Sequence, residues 1–243
     1  MEGGEKEKRE VKDGRTHTER MDFFKDKKVA LVQCGSFNPP HFLHMMMLED
    51  ARERLRAAGA TVVEGIVSPV SDAYGKPGLL GGAHRLAMCR AAVRSSDWLR
   101  VSDLEVRSPV YLRTRAVLDE YRAELRARHR ADVRPVLVCG ADLVESFTVP
   151  GCWADADVRA ILADYGLVAI ERVGLDLAAL VRGAPLLAPY ADHILATPPA
   201  MHNNLSSTLV RTRIRDGRYV KYMLDDAVIE YIAQHNLYRA DQP

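Results

Sequence analysis

The sequence predicts an α/β fold: a mostly parallel sheet, doubly wound, with helices on both faces and a single domain. Three observations predict it. Short apolar runs alternate along the chain with stretches of helical period, and each run is brief enough to be a buried strand. The spacing between successive runs leaves room for one helix, so right-handed crossovers would make the fold Rossmann-like. At 243 residues, 47% hydrophobic and 28% charged, the chain has the composition of a soluble globular protein with a substantial core.

The elements follow in order. Residues 1–26 are dense in Glu, Lys, Arg and Gly and almost free of aliphatics. Such a segment cannot offset its ordering entropy by burial, so a solvated tail is expected there, and a folded part over 27–240. Acids interleave with the basic residues of the tail, which makes a nuclear-import reading weak. Residues 29–32 read as the first buried strand. Residues 41–58 read as a helix ended by Gly59, and 61–67 as the second strand. A helix over 83–94 precedes a short strand at 98–101, with Trp98 as a core residue. A longer helix is expected over 110–128, with Val110, Ala116, Val117, Leu118 and Tyr121 on its apolar face. Then come a strand at 135–138, a helix at 155–164, a strand at 167–170, a short helix at 175–181 and a last strand at 193–195. Helices at 207–215 and 225–234 close the chain. Neither an internal repeat nor a second core is visible. In such sheets ligands bind beyond the carboxyl ends of the strands, where the winding reverses.

Charge and cysteine usage exclude several classes. Lys plus Arg is 34 against 33 Asp plus Glu, a net charge of +1. That argues against a strongly basic nucleic-acid binder. The four cysteines, Cys34, Cys89, Cys139 and Cys152, form no C-x-x-C pair and suggest reduced thiols, not a disulfide scaffold. No apolar stretch approaches the ~18 residues that span a membrane. Glu2, Glu5, Glu7 and Glu10 count against a signal or transit peptide, so a cytoplasmic or nuclear protein is expected.

Two corners carry the chemistry. The first, GSFNPPHFLH at 35–44, follows the first strand. Gly35 permits a tight turn and close approach of a ligand. Pro39 and Pro40 stiffen the loop, and Pro40 suits a first helical turn. Free amides at that helix start would attract an anion. His41 and His44, three apart, share one helical face. On residues alone three readings stay open: packing histidines, a metal site, or imidazoles that bind phosphate. Zinc would need three or four protein ligands, and no further His/Cys cluster is in view. The motif is neither G-x-G-x-x-G nor a Walker A loop. The second corner, NNLSSTLVRTRIRDG at 203–217, reads either as a capped amphipathic surface helix or as a second phosphate cradle. Ser206 or Ser207 would cap it, and Ser206, Ser207, Thr208 and Arg211 would bind the anion.

Together, G-x-F-x-P-x-[HT]-x-x-H and S-S-T-x-[VI]-R resemble the nucleotidyltransferase superfamily that adenylates small phosphates. The stretches GIVSPVSDAYGKPGL, CGADLVESFTVPGCW, YGLVAIER and VIEYIAQHNLY resemble its eukaryotic-type nicotinamide/nicotinic acid mononucleotide adenylyltransferases. The likeness runs over about residues 28–238. It implies that a mononucleotide phosphate attacks the α-phosphorus of ATP directly, giving NAD or deamido-NAD and pyrophosphate. Positioning and charge neutralisation would supply the catalysis.

The resemblance implies catalytic roles at the phosphates for His44, Lys76 and Arg211. It assigns nucleotide contacts to Gly35, Ser36, Phe37 and His41 in the first corner, and to Tyr74, Gly140, Asp142 and Arg172 beyond it. Asn203, Ser207 and Thr208 match ATP contacts of the second corner. Trp153, with Cys152 beside it, matches the tryptophan that stacks on the pyridine. Tyr111 stands at a second stacking position where other members carry Trp, and Thr114 follows at the matching offset. On residues alone Trp153 also reads as a half-buried core aromatic, and Trp98 is left out of the site. Magnesium is implied as the counter-ion of ATP and keeps its waters, so no protein metal ligand is named. Asn204 departs from the Asp of many members. The short Arg-rich segment 122–134 stands where longer members insert targeting loops. Partners are expected to be the small-molecule substrates and a possible second copy of the chain, without nucleic acid or membrane. Two alternatives remain: a sister enzyme acting on phosphopantetheine or glycerol phosphate, and a nucleotide-binding or client-holding protein without chemistry. The aromatic pair speaks against the first. Retention of His44, Lys76 and Arg211 speaks against the second.

Overall fold

A computed structural model describes residues 23–172 and 174–239. Six strands form one parallel sheet: β1 (Lys28–Gly35), β2 (Thr61–Pro69), β3 (Leu99–Val101), β4 (Arg134–Gly140), β5 (Leu167–Ile170) and β6 (Ile194–Thr197). Their spatial order is β3-β2-β1-β4-β5-β6, and every neighbouring pair is parallel. The winding therefore reverses between β1 and β4, whose register pairs Val32 with Leu137. This is the expected Rossmann-like, doubly wound sheet, and it places a crevice where β1 and β4 end.

Period-2 alternation divides the core between the two faces. From β1, Val29 and Leu31 pack with Leu48, Ala51 and Leu55 of helix α1 (Phe42–Ala57). Ala30 and Val32 face the other way, against Val117, Leu118, Tyr121 and Leu125 of helix α3 (Thr114–His129). Between them in sequence lies helix α2 (Gly82–Ala92). After β4 come α4 (Ala141–Ser146) and α5 (Asp155–Ala160), and α6 (Leu177–Gly183) follows β5. The last two helices, α7 (Ser207–Arg215) and α8 (Asp226–Gln234), share a separate small cluster. In it Val210, Val228 and Ile232 meet Met88 of α2. The sequence reading did not separate this cluster, because its members lie far apart along the chain.

Several boundaries need correction. Phe23 and Phe24 belong to the packed protein although the tail was drawn to residue 26: Phe24 is fully buried, and its ring sits 4.9 Å edge-on to Phe23. The solvated tail expected over residues 1–22 lies outside the described residues. The helix expected from residue 110 begins at Thr114, because Arg113 is extended at ψ 146 and the Val110 amide donates to Ser108 Oγ. Residues 110–113, Tyr111 included, are loop. The helix expected over 155–164 changes to a π turn at Ile161–Tyr165, closed by Gly166 at φ 68. Trp98 precedes its strand and is half-buried, its Nε1 donating to Glu49 of α1.

Candidate active site

Gly35 ends β1, and the chain turns at Phe37, which adopts a left-handed φ of 46 and buries its ring beneath the corner. His41 is extended, at φ −132 and ψ 166, and acts as the N-cap of α1. Pro40 therefore lies before the helix and not in its first turn. The amides expected to hold an anion are partly used: Phe42 N–H donates to the Met223 carbonyl at 3.1 Å and His44 N–H to the His41 carbonyl at 2.9 Å. What this corner presents to the cavity is imidazole.

The two rings stack, with centroids 3.6 Å apart. His41 N–H donates to His44 Nδ1 at 3.0 Å. A neutral imidazole that accepts at Nδ1 carries its proton on Nε2, so His44 offers an Nε2–H donor. Burial lowers His41 to about 4, and burial followed by the neighbouring His41 holds His44 well below the ordinary 6.5. Both rings are thus neutral at physiological pH. Buried His41 Nδ1 has no hydrogen-bond partner.

Both histidines line a cavity of about 570 Å³ at the β1/β4 reversal, together with Gly140, Asp142, Arg172 and Asn203. A Cβ at Gly140 would meet no atom within 4 Å, so the end of β4 opens onto free space. Arg172, after β5, donates to Asp142 of α4 at 2.5 Å and joins the far wall. Asn203 is exposed and accepts from the Leu205 amide at 2.8 Å. A larger groove, about 770 Å³ between α7 and α8, is lined by none of the expected residues.

The second corner docks on the first. Ser206 caps α7 by accepting from the Leu209 amide at 3.2 Å. Ser207 Oγ donates to the Pro39 carbonyl at 2.8 Å, and Arg211 Nη1 to the Asn38 carbonyl at 2.9 Å. Arg211 Nη2 also donates to Thr208 Oγ1 at 3.3 Å. Gly35, Ser36, Phe37, Ser207, Thr208 and Arg211 therefore gather around one loop, next to the cavity that holds His41 and His44.

Other expected residues lie outside the lining of that cavity. Lys76 stands on an exposed loop between Gly75 and Gly78, both left-handed at φ 65 and 70. Tyr74 and Tyr111, each near half-exposed, bring their rings to 5.2 Å of each other. Thr114 opens α3. Cys152 is exposed. Trp153 is half-buried, edge-on to Phe147 at 4.9 Å, with Nε1 donating to Ser146 Oγ at 3.0 Å, the packing that its core-aromatic reading predicts.

Sequence reasoning missed two residues that hold these parts together. Arg85 is fully buried. Its guanidinium donates to the carbonyls of Leu80, Ser36 and Val70 and to Asp72 Oδ1, at 2.6–3.2 Å. The available signal was its place on one helical face with Met88 and Cys89. Asn38 is 5% exposed and bonds four residues in three segments: Gly78 and Leu80, Arg211, and Tyr238. It stood inside the quoted corner with no role.

A family model described as cytidylyltransferase-like matches residues 32–213. A nicotinamide/nicotinic acid mononucleotide adenylyltransferase from Arabidopsis thaliana is 41% identical over 213 residues, covering 86% of this chain and 90% of the relative. A second protein of that description, from Caenorhabditis elegans, is 38% identical over 220 residues, covering 88% and 99%. A solved structure assigned as a nicotinate-nucleotide adenylyltransferase, from Vibrio parahaemolyticus, superposes with a TM-score of 0.57 at 17% identity. It covers 88% of this chain and 96% of its own, a likeness of fold alone.

Proposed function

The chain belongs to the cytidylyltransferase-like family and, within it, to the nicotinamide/nicotinic acid mononucleotide adenylyltransferases, and we propose how its two corners perform that reaction. It is a nucleotidyltransferase that transfers an adenylyl group and forms NAD. In the proposed mechanism ATP is the donor. An oxygen of the mononucleotide phosphate forms a bond to the α-phosphorus, the bond from that phosphorus to the bridging β-oxygen breaks, and pyrophosphate leaves. The attacking phosphate is already a nucleophile, so the protein supplies position and charge.

The observation that carries this reading is that one loop, residues 36–41, anchors both groups: its His41 N–H donates to the His44 ring, and its Asn38 carbonyl accepts from Arg211. His44 would donate from Nε2–H to a phosphate oxygen, stabilising charge that grows in the transition state. Arg211 would offer its fork to the β- and γ-oxygens. Lys76 would close over them from its glycine-flanked loop. The nucleoside would occupy the cavity of Gly140, Asp142, Arg172 and Asn203, and Tyr111 and Trp153 would flank the pyridine. Among the described residues no three His, Cys, Asp or Glu side chains gather to hold a metal. Magnesium is proposed to enter with ATP as the counter-ion of its phosphates. The described cysteines are all free, which supports a reducing compartment, cytoplasm or nucleus. No helix among the described residues is long and apolar enough to cross a membrane.

The test is one assay: purified chain, ATP, magnesium and each mononucleotide, with dinucleotide and pyrophosphate read out. Both mononucleotides should turn over. His44→Ala should fold normally and lose about two orders of magnitude or more in kcat. Turnover of phosphopantetheine without turnover of either mononucleotide would overturn the reading.

A further inference from the structure

We infer that Asn38 is the positioning residue that sets the Lys76 loop and Arg211 against one another. This rests on the function proposed above. The Asn38 side chain is spent entirely on other segments. Its Nδ2 donates to the Gly78 carbonyl at 2.7 Å. Its Oδ1 accepts from the Leu80 amide at 3.4 Å and from the Tyr238 hydroxyl at 2.9 Å. Its main-chain carbonyl accepts from Arg211 Nη1 at 2.9 Å. One buried residue of the first corner thus meets the loop that bears Lys76, the helix that bears Arg211 and the end of the described chain.

The Lys76 loop depends on that amide. Stretch 75–79 is exposed apart from half-buried Leu79, and two of its five residues are left-handed glycines. Among the described residues, the Asn38 amide is the side chain that hydrogen-bonds into it. Arg85 bonds the carbonyls of the next residue, Leu80, and of Ser36, and so ties the loop's end to the first corner, while the Asn38 amide holds the stretch two residues nearer Lys76. A charged group that must meet developing charge within a fraction of an ångström loses most of its effect when its loop lifts away. Asn38 contacts no reacting atom in this account and acts through Lys76.

Asn38→Asp tests this in the full chain. The substitution keeps an acceptor for Leu80 and Tyr238, and it sets a carboxylate oxygen against the Gly78 carbonyl. Amide hydrogen exchange over residues 74–80 should quicken about tenfold or more while the sheet stays protected. The kcat for dinucleotide formation should fall about ten- to a hundredfold. In a Lys76→Ala background the same change should cost less than about twofold, because its route is already gone. Wild-type kcat in Asn38→Asp overturns the inference, and so does a full multiplicative loss on top of Lys76→Ala. If Asn38→Asp does not fold, Tyr238→Phe removes one hydroxyl from the same amide. It should speed exchange at 74–80 and lower kcat about two- to fivefold, and no change in either overturns the inference. A wild-type chain that forms no dinucleotide would defeat the proposed function instead, whereas the exchange measurement needs no substrate.

Discussion

The His41–His44 pair shows how much of a site's chemistry is set by residue-level detail that spacing cannot express. Three-residue spacing predicted a shared face, and the rings do stack. It could not give the tautomer, which follows from one backbone N–H aimed at His44 Nδ1. Nor could it give the burial that keeps both rings neutral. That burial has a cost in acid. His41 falls from 6.5 to about 4 on folding, so between those values the unfolded chain binds more protons than the folded one. Stability is then full above about pH 6.5 and is lost as pH falls toward about 4, by roughly 1.4 kcal/mol per unit for this one group. Urea midpoints of the ligand-free protein should drop on going from about pH 7.5 to about pH 5, and less steeply in His41→Thr. An identical drop in both proteins would take His41 out of the acid response.

Elements were legible where one simple period ran uninterrupted. β5 at Leu167–Ile170 and α7 at Ser207–Arg215 begin and end where the pattern does. The failures lie where local hydrogen bonding competes with the pattern. Val110 carries helical apolar spacing, yet its amide is captured by Ser108 Oγ, and α3 waits for Thr114. Helix α4, Ala141–Ser146, spans six residues, too few for a 3.6-residue period to declare itself. In α7 the ambiguity between Ser206 and Ser207 as cap resolves into two jobs. Ser206 closes the helix on the Leu209 amide, while Ser207 reaches across to Pro39. The two alanine variants should part accordingly. Ser206→Ala should lose about 1 kcal/mol of stability with kcat nearly kept. Ser207→Ala should show its main effect as a higher KM for ATP, because it loosens the join between the two corners. Equal effects of both on stability and on KM would remove the distinction.

At the scale of the molecule, the sheet and the α7–α8 unit are built on different cores, and this division has an energetic consequence. The sheet is packed on both faces by α1 and α3, whereas α8 packs against α2, and Val210 of α7 joins their cluster with Met88 and Val228. The strand pattern exposed the first arrangement, since each strand is a local run. The second was hidden because Met88, Val210 and Val228 are joined only by folding. Described bonds between α7 and the first corner are few: Ser207 to Pro39 and Arg211 to Asn38. A triphosphate held by His44 on one side and Arg211 on the other would add a strong link exactly across that seam. Ligand that binds the folded state at about 100 times its Kd stabilises by about 2.7 kcal/mol. For a chain of this size that raises Tm by about 5 to 10 °C. Magnesium–ATP should produce such a shift in the wild type. Arg211→Ala should lower the ligand-free Tm slightly, by loss of the Asn38 contact, and should abolish most of the ligand-induced rise. A full shift in Arg211→Ala, read by scanning calorimetry at the same nucleotide concentration, would mean that the polyphosphate does not bridge the two units.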